Sequence, residues 1–395
     1  MPLLHRRSAL LLLATAAATP VLAGVEDAFA RFLDDARRAA AAAGVSRETV
    51  DRETAGLAPD PKLLARPAAQ GEFSLSPRDY IARLADAGKA AAGRAQLAKQ
   101  RAALDIVERR TGVPREIVVA FWALESGFGG SQGDHDILRS LATLGGAGER
   151  AALFRDEFVA ALAIIDRGEA TRGQLKGSWA GAMGQPQFMP SSYLKYAVPL
   201  QGGGAPDIWR SAGDSLASIG NFMRESGWTP DLPALVEVRV PDNFDWRPVD
   251  LSFADWRRLG FAATDGRALP SSGSGSLFLP AGAKGPPLLL TDNFEAIRAY
   301  NTSDAYALAV FVLAERIAGR PGLITPWPPD GARLTSAQRR ALQERLRAQG
   351  FYKGSVDGRF GRATRIAVHA WQVAAGWMPA DGFATPAILE KLGGS

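Results

Sequence analysis

The sequence predicts a mainly helical α+β protein, in which a helical body is interrupted by a small β insertion and followed by a small basic end module. Three observations carry this. Apolar residues recur at helical spacing to about residue 230 and again from Phe294 to Ile317. Between them lie short β-like runs, ALVEVRV at 234–240, SLFLP at 276–280 and PLLLT at 287–291, separated by Gly, Ser and Pro. RPGLITPWPPDG at 320–331 carries four prolines and two glycines, the composition of an extended linker.

The expected organisation is a leader over 1–23, a catalytic domain over 24–319 with the β-rich insertion at about 232–292, a linker over 320–333 and an end module over 334–395. At 395 residues and 47% hydrophobic, the chain can bury more than one core. The leader begins with His5, Arg6 and Arg7, continues through the uncharged stretch Ser8 to Ala23, and closes on Val21-Leu22-Ala23. This is the layout of an export signal cleaved after Ala23, and the uncharged run falls short of the roughly 20 residues of a membrane span. Arg6-Arg7 also resembles a twin-arginine signal, so the expected location is the periplasm with no stable membrane anchor.

The first helix is expected over Val25 to Ala43, with Phe29, Phe32, Leu33 and Ala36 on one face, Gly44 as its stop and Ser46 as the next N-cap. Ser76-Pro77 marks another helix start, where proline's missing N–H costs nothing. In the end module, DGRFGRAT at 357–364 is echoed by DGFATP at 381–386, a half-repeat of Asp-Gly turns each leading to a Thr that can cap a helix.

The chain has no cysteine, which excludes disulfides, thiol nucleophiles, thiolate zinc sites and a lipid-bearing cysteine. With three histidines, carboxylates are left as the natural catalysts. Nothing points to a cofactor or to nucleic acid. The net charge of +5 is carried entirely by residues 334–395, where nine Lys or Arg face four acids. Such a module either attracts an anionic polymer or presents a solvated helical face.

Two segments carry chemistry. In VPREIVVAFWALESGFGG, 113–130, the apolar run Ile117 to Leu124 ends at Glu125, just before Gly127, Gly129 and Gly130. A helix apolar all round is buried, so its terminal carboxyl sits at the edge of a core and at the negative end of the helix dipole. Both favour the protonated form, as a general acid requires. The alternative is a structural Glu paired with Arg139 or Arg155. In GSWAGAMGQPQFMPSSYLKYAV, 177–198, small residues let backbone approach a ligand, Trp179, Phe188 and Tyr193 offer flat apolar faces, and Ser178, Gln185 and Gln187 offer polar groups. That mixture suits a sugar; a Gly-rich loop with core aromatics is the alternative.

Together, FWALESGFGG and GSWAGAMGQPQFMPSSY closely resemble the lytic transglycosylase B family of bacterial cell-wall enzymes. The resemblance continues through DIWRSAGDSLASIGNFMRESGW, 207–228, and NFEAIRAYNTSDAYALAVFVLAERI, 293–317, and covers most of residues 25–320. It implies a lysozyme-like catalytic domain. Glu125 falls where the family has its only catalytic carboxylate, acting as acid and then as base. Ser178 and Gln187 match residues that contact the sugar and its acetamido group, Met183 falls in the loop lining the cleft, and Tyr300 and Asn301 match a pair facing the same site. The implied reaction cleaves the β-1,4 bond between N-acetylmuramic acid and N-acetylglucosamine without water, leaving 1,6-anhydro ends. The tail resembles a three-helix peptidoglycan-binding module through Gly350-Phe351-Tyr352, Asp357-Gly358, Phe360-Gly361, Thr364 and Trp371-Gln372.

Partners implied are peptidoglycan glycan strands, with other cell-wall enzymes as further candidates. Where relatives bind calcium in an acid-rich loop, this chain has PLQGGGAPDIWR with Asp207 alone, so no metal site is expected. Gln185-Pro186 also departs from the family's more permissive turn. Two other readings remain: a hydrolytic muramidase, with Asp134 or Asp136 as second carboxylate, and an inactive wall-binding scaffold.

Overall fold

A computed structural model describes residues 19–65, 75–148, 150–329 and 334–393. The expected leader lies outside them as far as residue 18, as do residues 330–333 of the expected linker. No helix among the described residues is long and apolar enough to cross a membrane. The chain divides into two compact units, one gathering residues up to 68 with 129–197 and 202–211, the other 69–128, 198–201 and 212–395.

In the first unit the long helix Thr19–Ala42 buries Phe29, Phe32, Leu33, Ala36 and Ala40, the stripe that its spacing predicts. Gly44 at φ +84° ends the run, and the Ser46 hydroxyl accepts from Thr49 N–H to begin Arg47–Thr54. The long helix packs on Ile137–Gly146 and Ala151–Asp166. Gly145 makes that approach feasible, because a Cβ there would overlap the Phe32 ring. Phe32 in turn meets Phe158 edge to face at 6.3 Å. A two-stranded ribbon, His135–Asp136 with Lys176–Gly177, escaped the sequence reading; two residues per strand leave no period to detect.

The second unit is built around Asp304–Ile317, which packs against Pro77–Leu84, Ala87–Lys99 and Arg115–Ser126 and buries nine of its twelve residues from Tyr306 to Ile317. The β insertion is an antiparallel five-stranded sheet in the order Asp250–Ser252, Ser274–Phe278, Leu288–Leu290, Leu235–Arg239, Ala262–Ala263. Its core gathers Phe244, Phe253, Trp256 and Phe261 against Val238 and Leu289. The two outer strands and the short helix Phe253–Arg258 were not legible from sequence, being two to six residues long. Buried Asn293 ties the sheet to the helical body, donating to the Thr229 and Leu232 carbonyls and accepting from Thr229 N–H. The described part of the linker is pinned to the sheet: Ile324 and Thr325 N–H donate to the Glu237 carboxylate at 2.6 Å each.

The end module consists of Ser336–Ala348, Arg362–Ala374 and Pro386–Gly393 around Leu342, Leu346, Val368, Trp371 and Ile388. Its half-repeat has a structural basis. Gln343 donates to Asp357 (3.2 Å) and accepts from Gly358 N–H (2.7 Å), and Gln372 donates to Asp381 (2.9 Å) and accepts from Gly382 N–H (2.7 Å). Each buried glutamine therefore clasps one Asp-Gly turn. The capping expectation holds only in the second half, where Thr385 caps the last helix. Thr364 does not cap, because its hydroxyl is drawn inward to the Arg359 carbonyl and Gln343.

Truncating either glutamine strands a buried glycine N–H, Gly358 in one half and Gly382 in the other. Gln343→Ala and Gln372→Ala are each expected to destabilise the module by about 2–3 kcal/mol, measured as a loss of denaturant midpoint in the full chain. Unchanged midpoints would show that the clasps are dispensable.

Candidate active site

Glu125 is the penultimate residue of Arg115–Ser126, whose residues Ile117 to Ala123 are all buried. The helix stops because Gly127 turns left-handed at φ +56°, which a Cβ would oppose. Phe128 then also adopts a positive φ, +62°, unusual for an aromatic residue, and its ring stands edge-on to Trp122 at 5.4 Å. The backbone directly after Glu125 is therefore strained and held by aromatic packing.

Tyr306, buried in the first turn of Asp304–Ile317, donates its hydroxyl hydrogen to Glu125 Oε1. Tyr300 lies between Phe121 and Phe222, each ring centroid 4.6 Å away. Both phenols are pushed well above the ordinary tyrosine range, first by burial and then by the Glu125 charge, with Tyr80 adding to the effect on Tyr306. Tyr306 is thus a donor at any physiological pH. Asn301 is exposed at the end of Asp292–Tyr300, and its side-chain oxygen accepts from Ser303 N–H at 3.1 Å, joining the two helices. Tyr306 went unrecognised in the sequence because a tyrosine in an apolar helix reads as core.

The alternative partners of Glu125 are committed elsewhere. Arg139 donates to the Ala58 and Pro59 carbonyls, and Arg155 pairs with Asp35 and Asp156. Asp136 caps Ile137–Gly146 and pairs with Arg172 at 3.0 Å, the work of a structural acid.

The polar loop belongs to the other unit. Ser178 accepts from Ala182 N–H at 3.1 Å, which leaves its hydroxyl hydrogen available. Gln187 sits at φ +52°, the second strained position in the singled-out segments, and its amide donates to the Gln132 (3.0 Å) and Gly184 (2.8 Å) carbonyls. Its carbonyl oxygen is left as an acceptor. Met183 has a side chain that is 0% exposed and a backbone that pairs with Phe188, so it shapes the loop from inside. The Gln185-Pro186 departure is accommodated by burying Gln185, whose amide donates to the Trp209 carbonyl at 3.2 Å. Gln132, Gln174, Lys176, Trp209 and Arg210 line an adjoining cavity of about 310 Å³, with one aromatic face, two amides and two cations. Asp207 caps its own turn, accepting from Trp209 and Arg210 N–H. Among the described residues no group of three or more His, Asp or Glu is placed to hold a metal.

Residues 28–315 match the family model described as transglycosylase SLT domain, and residues 335–392 match that for a peptidoglycan binding domain. The crystal structure of SltB3 from Pseudomonas aeruginosa in complex with NAG-anhNAM-pentapeptide is similar at 40% identity, covering 92% of this chain and 99% of that one with a TM-score of 0.83. Escherichia coli lytic transglycosylase Slt35, solved in complex with calcium, is similar at 27% identity and TM-score 0.61, covering 74% of this chain and 92% of that one. Membrane-bound lytic murein transglycosylase B of Escherichia coli K12 is 40% identical over 118 residues, which span 30% of this chain and 32% of that relative.

The buried phenols have a pH consequence. The unfolded chain ionises tyrosine near 10, whereas the folded chain keeps Tyr300 and Tyr306 neutral well above that value. Their stabilisation is complete below pH 10 and is lost as pH rises past it, at up to about 1.4 kcal/mol per pH unit for each. Denaturant unfolding of the wild type is expected to weaken more steeply above pH 10 than that of the Tyr300→Phe/Tyr306→Phe double variant. Parallel pH profiles would contradict this assignment.

Proposed function

This chain belongs to the transglycosylase SLT domain family, and from that premise we propose that it is a lytic murein transglycosylase with Glu125 as its sole acid and base. The observation that carries the reading is the pairing of Glu125 with Tyr306. A donor held neutral by burial meets one carboxyl oxygen of Glu125 and so fixes how that carboxyl is presented to substrate. Glu125 protonates the bridging oxygen of the β-1,4 bond between N-acetylmuramic acid and N-acetylglucosamine. The sugar's acetamido oxygen stabilises the cationic centre, and the Glu125 carboxylate then takes the proton from the C6 hydroxyl, whose oxygen closes the 1,6-anhydro ring. Each proton that Glu125 gives is recovered at the end, so no water is consumed.

Tyr306 serves both halves. Its hydrogen bond orients the acid and favours the carboxylate once the proton has left, offsetting the burial that favours the neutral form. Ser178 and Gln187 are assigned to the sugar hydroxyls and acetamido group, for which the free hydroxyl hydrogen and free carbonyl oxygen are suited. Tyr300 acts as an apolar wall, and Asn301 as a polar group at its edge. A hydrolase would need a second carboxylate at a set distance to activate water, and the commitment of Asp136 to capping and to Arg172 argues against one there. The basic, then apolar opening of the chain fits export to the periplasm, where the murein substrate lies, and residues 334–395 fit a role in holding that polymer.

Digestion of sacculi should give muropeptides ending in 1,6-anhydro sugars by mass spectrometry, and Glu125→Gln should slow their release by about 10³-fold. Products that are all reducing and water-added would instead establish a muramidase, and wall retention without any digestion a scaffold. Tyr306→Phe is expected to lower kcat by about tenfold with KM little changed, the equivalent of one charge-assisted hydrogen bond of about 1.5 kcal/mol.

A further inference from the structure

Within the second unit, the end module is locked onto the β insertion and the helices that follow it through one face of Arg362–Ala374, carrying Arg362, Arg365 and His369 at helical spacing. Arg362 pairs with Glu295 at 3.0 Å, and His369 Nε2 lies 2.7 Å from the Trp246 carbonyl oxygen. Arg365 pairs with Asp304 while its guanidinium lies over the Phe278 ring, 4.2 Å from the centroid. From the neighbouring turn, Asp381 accepts from Ala283 N–H at 3.0 Å. These cations form an alternating network with the acids they meet, because Arg298 contacts both Glu295 (2.6 Å) and Asp304 (2.7 Å).

Asp304 occupies a particular place. It is the first residue of Asp304–Ile317, two positions before Tyr306, and only 12% of its side chain is exposed. Ser303 caps this turn by accepting from Tyr306 N–H, and Asn301 holds Ser303 in turn. The turn that aims the Tyr306 hydroxyl at Glu125 is therefore fixed from outside by two arginines, one of them supplied by the end module. Asp304 is surrounded by Arg298 from its own side, Arg365 from the module and, through Arg298, Glu295. Removing Arg365 leaves a nearly buried carboxylate with half its compensation and the first turn free to shift.

We infer that Arg365 is a positioning residue for the reaction, coupling the docked wall-binding module through Asp304 and the first turn of Asp304–Ile317 to the Tyr306–Glu125 hydrogen bond. The module is then more than a tether, since its docking sets the state of the carboxyl. This rests on the reading of Glu125 as the reacting group.

The test is a double-mutant cycle in the full chain, with Arg365→Ala and Tyr306→Phe alone and together, read by the ¹³C titration of the Glu125 carboxyl. Losing the tyrosine's donation disfavours the carboxylate, so Arg365→Ala should raise that titration by about 0.5 pH unit or more. It should raise it no further in the Tyr306→Phe background, and Arg365→Lys should restore part of the wild-type value. On soluble glycan fragments too short to reach the module, kcat of Arg365→Ala should fall about fivefold with KM within about twofold. An unshifted carboxyl titration, or equal shifts in both backgrounds, overturns the coupling. Arg345→Ala, which breaks a bond to the Leu389 carbonyl inside the module, controls for loss of module stability and should leave the titration unmoved. The titration reads the coupling whether or not anhydro products form, so a failure of the proposed activity is separable from a failure of this inference.

Discussion

The constraint on which the second unit depends is a carboxyl placed at the end of an apolar helix. Withdrawn from water without a partner, such a group costs several kcal/mol, and the Tyr306 phenol is a partner that the structure provides. For Tyr306 to reach Glu125 its helix must lie against Arg115–Ser126, and for that helix to be immersed it must be apolar on nearly every side. The flanking helices Pro77–Leu84 and Ala87–Lys99 supply the surrounding contacts. The strained left-handed residues after Glu125 and the caps before Tyr306 are the two ends of the same arrangement, fixing where donor and acceptor face each other.

How much of this was legible depends on whether a feature leaves a periodic or punctuating mark. Glu125 was visible because a charge interrupts a long apolar run, and Gly44, Ser46, Ser76 and Pro77 because helix ends use a small vocabulary. Phe29, Phe32 and Leu33 were visible through their spacing. Tyr306 was not, since a core tyrosine and a functional one are the same letter in the same pattern. Met183 was placed in the cleft-lining loop by family resemblance alone, and nothing in the sequence signalled that its side chain is fully buried behind the backbone pairing with Phe188. The left-handed state of Gln187 carries no sequence signal, because glycine is the residue expected there. The half-repeat was readable as a pattern, but its cause, a glutamine clasping each Asp-Gly turn from a preceding helix, required tertiary contacts between residues 9 to 15 apart.

Charge was the least legible property. Counting Lys and Arg located the excess in the end module but could not distinguish solvated cations from interfacial ones. Arg362 and Arg365 meet acids of the catalytic region, while Arg339 and Arg345 donate to carbonyls within the module. The positive charge left to attract an anionic polymer is accordingly smaller than the net +5 implies. Arg365 also bears the cost of its location, its guanidinium held below the ordinary arginine range by burial and sustained by Asp304.

Small wall-binding modules invite use as exchangeable cassettes, moved between enzymes to redirect them. The docked face of Arg362–Ala374 sets a limit on that practice for this chain. Excised and fused elsewhere, the module would present Arg362, Arg365 and His369 to solvent and lose the acids and the Phe278 ring that complete them, while the donor enzyme would be left with Asp304 half compensated. Any graft that preserves both partners has to carry the acidic half of the joint along with the basic one.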